Sequence, residues 1–209
     1  TPRPVSAKKT FSFCTPSVIE VAGQLQVVAP GSDCVLALDP ATGETIWDVR
    51  YEGYSVVPKP VYHRGLVFIS TSFDNSKMLA IRPTGKGIVT ETHVAWQLDR
   101  NVPKTPSMIA HDGLVYSISD DGIATCVEAE SGELVYRKRI GGNYSASPLL
   151  AGDKLYFTSE EGVTTVVRAG QNFEEVGSNA LEERTLASLA VLGDSILLRT
   201  ATALYRIQD

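Results

Sequence analysis

The sequence predicts an all-β chain built from repeated four-stranded antiparallel units, of the kind that form the blades of a β-propeller. Three observations carry this. Turn glycines Gly23, Gly65, Gly113, Gly152 and Gly193 recur with a period of about 40 residues, and four short apolar runs in such a period describe a blade rather than a helical solenoid. Prolines Pro16, Pro60, Pro106 and Pro148 open successive copies, where a residue without a backbone donor suits a strand start or an edge. The stretch Ala37-Leu38-Asp39-Pro40-Ala41-Thr42-Gly43-Glu44-Thr45-Ile46-Trp47 reads as strand, tight turn and strand, and it recurs in looser form from Cys126 to Tyr136. No apolar stripe of helical period competes with this pattern, apart from a candidate single turn at residues 181–184.

Taken in order, residues 1–9, with Pro2 and Pro4, form an extended lead-in. The first copy places strands at 15–19, 25–29, 35–38 and 45–51, and the second at 61–62, 66–69, 78–81 and 94–98. Residues 83–93 are an insertion on the regular pattern, with Gly85-Lys86-Gly87 expected to turn a hairpin. The third copy runs from Thr105 through Leu114–Ile118 and residues 123–127 to Tyr136. The fourth runs from Ser147 through 155–157 and 163–167. The fifth has strands at 187–189, 196–198 and 203–207 and stops at Asp209 without a fourth. The blades thus span about 10–51, 55–98, 102–139, 143–178 and 184–209 of one partial propeller domain. Asp121-Gly122 and Glu161-Gly162 sit between alternating strands, where a primed hairpin turn needs positive φ. Asp39 and Glu128 are placed to accept backbone N–H groups across the next turn.

Composition excludes several classes. The chain has 209 residues, 43% hydrophobic and 21% charged, with a net charge of −5 and no basic cluster, which argues against a nucleic-acid partner. No run approaches the roughly 18 apolar residues of a membrane-spanning helix. Cys14, Cys34 and Cys126 are too scattered for a disulfide framework or a zinc site, and Cys34 and Cys126 read as small buried hydrophobes.

The pattern Ala37-x-Asp39-x-x-Thr42-Gly43-x-x-x-Trp47 resembles the docking motif of the pyrroloquinoline quinone (PQQ) dehydrogenase-type β-propeller repeat family, and the likeness runs from about Phe11 to Ile207. The resemblance implies that Trp47, Trp96 and Tyr136 are docking aromatics on outer strands, wedged between neighbouring blades. It also implies seven or eight blades in the closed propeller, of which about four and a half are present here. The alternative is a five-bladed ring in which residues 1–9 supply the missing strand. An open part-propeller leaves edges and apolar faces uncovered, so self-association is expected.

Enzymes of that family hold PQQ and calcium on the propeller axis, several beside an adjacent cysteine pair. No such pair exists here, and Asp120, Asp121, Glu160 and Glu161 read as turn formers rather than calcium ligands. His63, His93 and His111 fall in or near turns and read as surface residues. No catalytic, cofactor or metal ligand set is assigned. The connections leading into the innermost strands, 51–59, 99–105, 141–147 and 182–188, place Tyr54, Arg100, Asn101, Lys104, Asn143, Tyr144 and Arg184 at the axial mouth. Cations and amides there would suit an anionic ligand or a peptide carboxylate.

The expectation is therefore a non-enzymatic scaffold with a protein or peptide partner, similar to the propellers of outer-membrane protein assembly factor type. The resemblance implies an extracytoplasmic, periplasmic location. Half of a quinoprotein dehydrogenase, with PQQ and calcium completed by further blades, is the runner-up. A carbohydrate- or peptide-binding propeller, using Tyr54 and Tyr144 as stacking platforms, is a third reading.

Overall fold

In the computed structural model, which describes residues 1–74 and 76–208, the chain is all-β with one single-turn helix among those residues. Asn75 and the predicted last residue of the fifth blade, Asp209, lie outside the described residues. The first sheet contains β1 (Ser17–Val21), β2 (Gln24–Gly31), β3 (Cys34–Leu38) and β4 (Thr45–Arg50). The second contains β5 (Val61–His63), β6 (Leu66–Ser70), β7 (Met78–Ile81) and, after an insertion holding β8 (Gly87–Ile88) and α1 (Thr90–His93), β9 (Val94–Leu98). The third is β10 (Ile109–His111), β11 (Leu114–Ile118), β12 (Ile123–Glu128) and β13 (Leu134–Arg139). The fourth is β14 (Leu149–Ala151), β15 (Lys154–Thr158), β16 (Val163–Arg168) and β17 (Glu174–Ala180). The fifth has three strands, β18 (Ala190–Leu192), β19 (Ser195–Arg199) and β20 (Leu204–Ile207). Consecutive strands pair antiparallel within each sheet, as short turns between alternating apolar runs require.

The alternation fixes which face meets which neighbour. Val28, Ala37 and Trp47 of the first sheet are buried together with Val67, Ile69, Leu79 and Ile81 of the second. Phe68, Met78 and Ala80 of the second sheet cluster with Val115 and Val127 of the third. Tyr116, Ile118 and Cys126 of the third cluster with Leu155, Phe157 and Val167 of the fourth. Each of these three seams is thus a layer of side chains between two sheets stacked face to face, which is how blades pack.

The outer-strand aromatics sit where the motif implies. Trp47 is fully buried and its Nε1–H donates to Gln26 Oε1 at 2.8 Å, while Gln26 Nε2–H donates to Pro83 O in the second blade at 3.2 Å. Trp96 Nε1–H donates directly to Ala129 O of the third blade at 3.0 Å. Tyr136 meets Phe173 of the fourth blade edge-on, ring centroids 5.6 Å apart. In all four complete sheets the register slips once between the third and fourth strands, opposite Ile46, Ala95, Val135 and Val176. This bulge aims the following residue, the aromatic in the first three blades, into the seam.

A second tie runs along the opening segments. Ser17 Oγ donates to Pro60 O at 2.9 Å, Lys59 N–H to Ser107 Oγ at 3.0 Å, Ser107 N–H to Ser147 Oγ at 2.9 Å, and Ser147 N–H to Ser188 Oγ at 2.9 Å. Every opening segment is therefore bonded to that of the next blade.

Four expectations are corrected. Residues 181–184 form no helical turn; Glu183 instead accepts from the hydroxyls of Thr200, Thr202 and Tyr205. Gly87 turns no hairpin but starts β8, which adds a parallel fifth strand to the first sheet beside β4. Residues 1–9 supply no strand to the fifth sheet. Arg3 lies over the first sheet, donating to Ala29 O, Pro30 O and Cys34 O. Asp39 Oδ1 does accept from Ala41 and Thr42 N–H, but Glu128 caps its turn through backbone groups alone, and its carboxylate accepts from Gln171 Nε2 at 3.4 Å.

Trp47→Ala should lower stability by about 3–5 kcal/mol, the cost of emptying a buried aromatic site, read by urea unfolding. Gly43 and Gly132 share φ +73°, but a methyl at Gly132 would lie 2.6 Å from Trp96 Cδ2, whereas at Gly43 it meets only the Thr1 hydroxyl at 3.3 Å. Both alanine variants should lose about 1–2 kcal/mol to backbone strain, with Gly132→Ala losing about 1–3 kcal/mol more to overpacking. Equal losses would remove Trp96 from the seam.

Candidate functional site

The connections that lead into the innermost strands gather on one face with the hairpin loops between second and third strands. Each connection turns at a residue in the left-handed region: Ser55, Asn101, Gly141 with Gly142, and Glu182. The hairpin-tip acids, expected to shape their own turns, bind the incoming connection as well. Asp120 Oδ2 accepts from Lys104 N–H at 2.7 Å, Glu160 Oε1 from Ser145 Oγ at 2.5 Å, and Glu161 Oε1 from Asn143 Nδ2 at 2.9 Å. Asp121 has the predicted turn role, accepting from Ser119 Oγ at 2.6 Å. The Asn143 amide, then the Ser159 hydroxyl, hold the Glu161 carboxyl down to about 2.

Between the second and third blades this face opens into a cleft of about 640 Å³, lined by Glu52, Asp74, Lys77, Asp99, Asn101, Val102, Lys104, Ser119, Asp120 and Asp121, with Ser76 at its edge. The loop between β6 and β7, residues 71–77, borders the cleft through Asp74, Ser76 and Lys77 and is longer than the corresponding turn after β11. Five carboxylates against two ammonium groups make its lining acidic. That is the reverse of the expected anion-receiving mouth and suits a cationic surface.

The seven predicted mouth residues do not converge. Asn101 and Lys104 line the cleft, and the Lys104 ammonium stands 5.9 Å over the Phe73 ring. Tyr54 stacks on the other partner of that arrangement, its ring centroid 6.2 Å from that of Phe73, and donates to Asp74 Oδ1 at 3.3 Å; that carboxylate raises the phenol's proton affinity. Arg100 is exposed outside the cleft lining. Asn143 is committed to Glu161, and Arg184 Nη2 reaches Glu160 Oε2 at 3.5 Å on a separate small recess. Tyr144 is corrected outright: it is 3% exposed in the seam between third and fourth blades, and burial pushes its phenol up to about 12. Its ring fills the apolar layer beneath Asn143, so it offers no stacking platform. Phe73 is the aromatic that sequence reasoning missed; it lies in a loop with no repeat partner, and only its place beside the insertion-bearing hairpin could have flagged it.

With this geometry in view, the comparisons with known proteins are direct. A family profile described as outer membrane protein assembly factor BamB, of PQQ-repeat type, matches residues 90–205, more than half of the chain. The chain belongs to that family. Among solved structures, the crystal structure of BamB from Moraxella catarrhalis is similar at 12% identity with a TM-score of 0.47, covering 90% of this chain and 70% of that one. No curated protein matches. The match includes Trp96, Tyr136, the third-blade turn at Ser131-Gly132 and the whole seam between the third and fourth blades.

The PQQ-calcium group of the dehydrogenase branch would need a cluster of oxygen ligands. Calcium takes six to eight oxygen ligands, but among the described residues no three His, Cys, Asp or Glu side chains converge as a metal donor set. The carboxylates of Asp120, Glu160 and Glu161 are already committed to the connections. Cys34 and Cys126 are buried in different blades, as expected of small hydrophobes.

His63 departs from its expected surface role. Its Nε2 accepts from Gly113 N–H at 3.1 Å, joining the first hairpins of second and third blades. Burial, then the Arg64 guanidinium and His111, lower its proton affinity, with Asp112 opposing. Protonation would turn that acceptor into a donor facing a donor. The folded state binds the proton less tightly than the unfolded chain, so the contribution is complete above the unfolded value of about 6.5 and is lost as pH falls from there through the folded value. The urea midpoint should therefore drop between about pH 7 and about pH 5, and His63→Asn should flatten that part of the profile; matching slopes in both proteins would overturn the assignment.

Proposed function

We propose that this chain is part of a seven- or eight-bladed propeller acting as a non-enzymatic protein-interaction scaffold outside the cytoplasm, in the manner that the family's description as an outer membrane protein assembly factor names. The fifth sheet carries the reading. It has three strands where its neighbours have four, and on its last strand Leu204 is 69% and Ile207 47% exposed. Such an open edge with apolar side chains is a template for another strand or sheet. The occupant that fits is a further blade, because the three seams before it repeat one geometry, a sheet face covered by the next sheet. The engagement of the hairpin-tip carboxylates supports a scaffold over a cofactor enzyme. No helix among the described residues is long and apolar enough to cross a membrane.

Residues 1–209 alone should self-associate through this end in light scattering, and Leu204→Lys with Ile207→Lys should shift the population towards monomer. A stable monomer at high concentration would overturn the open-end reading. Full-length protein given PQQ and calcium should show neither quinone absorbance nor dye-linked alcohol oxidation; either signal would replace the scaffold with the dehydrogenase.

A further inference from the structure

On the face of the third sheet that meets the second, Ser117, Thr125 and Arg137 stand side by side on β11, β12 and β13. Ser117 is directly opposite Thr125, and Thr125 directly opposite Arg137. Directly opposite residues in an antiparallel pair project from the same face, with Cβ atoms about 4.5–5.5 Å apart. The face is fixed by alternation: Val115 and Val127, two residues from Ser117 and Thr125 on the same strands, pack against Phe68, Met78 and Ala80 of the second blade, whereas Tyr116 and Cys126 point to the fourth.

Ser117 is 1% and Thr125 2% exposed, yet Ser117 Oγ, Thr125 Oγ1 and Arg137 Nε are buried without a hydrogen-bond partner among the described residues. Arg137 also joins none of the ion pairs found among those residues. Buried polar groups are almost always satisfied, and three orphans in one row leave two desolvated hydroxyls and a buried guanidinium N–H without a partner. Corresponding rows of the other complete blades are filled differently. They hold Ala29, Leu36 and Asp48 in the first, Ile69, Leu79 and Gln97 in the second, and Phe157, Thr165 and Ser178 in the fourth. Asp48 has its own partner in Arg50 at 3.0 Å, and Thr165 bonds Tyr144. Of these four rows, the third blade's alone combines two buried hydroxyls with a buried guanidinium N–H that has no partner among the described residues.

We infer that Ser117, Thr125 and Arg137 form a binding site for a small monovalent anion, a halide or a carboxylate, within the seam between the second and third blades. Arg137 lies on the outer strand and is half-exposed, so the anion enters from the rim, and the hydroxyls reach it from the inner strands. The guanidinium supplies charge and an N–H, and each hydroxyl can turn its proton to the anion.

Crystals soaked in sodium bromide should show an anomalous peak within hydrogen-bond distance of Arg137 Nε and the two hydroxyls, absent in Arg137→Met. In solution, thermal unfolding at constant ionic strength should rise with bromide or acetate relative to bulky gluconate, and the anion giving the larger rise identifies the preferred class. The Ser117→Ala, Thr125→Val double variant, which keeps the guanidinium, should weaken the apparent affinity at least tenfold, so the test survives if Arg137→Met fails to fold. An ordered water in place of the peak, with equal unfolding temperatures in all three salts, would overturn the site. Neither outcome depends on the scaffold reading, because the row faces an internal seam remote from β20.

Discussion

The architecture depends on one contact repeated along the chain: an aromatic on the outer strand of each of the first three blades laid against the sheet and turn of the next. A four-stranded sheet with apolar residues on both faces has no stable existence alone, since each face must be removed from water. Trp47 and Trp96 solve this with a large ring and also anchor it, because the indole N–H reaches a carbonyl of the following blade, through Gln26 in one case and directly in the other. The bulge just before each ring is the local distortion that turns it out of its own ladder and into the seam. The motif weakens along the chain. The fourth blade has Gly177 where the first three have an aromatic.

The same economy governs the loop-bearing face. Carboxylates at hairpin tips could serve as ligands in an open mouth, but here they fix the backbone of the connections between blades. The cleft beside the second blade stays open, bordered by the longer hairpin loop and the neighbouring connection. Its excess of carboxylates sets the charge of whatever surface can approach, and the Lys104 ammonium above Phe73 is the one cationic feature stacked within it. A surface of mixed loops on stacked rigid sheets is suited to docking a partner.

Much of this was legible without coordinates. The Asp39 turn, the positive-φ glycines and the strand openings at proline all follow from interactions within a dozen residues, which local chemistry specifies, and the family resemblance supplied the docking rings. The insertion was visible as an irregularity at residues 83–93, but its use was not. Gly87 and Ile88 pair with β4, some 40 residues earlier in sequence, and no local signal announces a parallel edge strand. Tyr144 failed as a mouth residue for a related reason: one position separates an exposed Asn143 from a buried ring, and the turn at Gly141-Gly142 decides which side chain points inward.

The sequence by itself determined the repeat, the four-strand unit and the turns, because each is encoded by periodicity and short-range backbone preference, and its family resemblance pointed to the aromatics that join units. Tertiary structure alone decided which carboxylates are occupied, where a cleft remains, and that Ser117, Thr125 and Arg137 meet in a row. Those facts depend on register between strands and on the stacking of one sheet against the next, and pairs so far apart in sequence become neighbours only when the seams close.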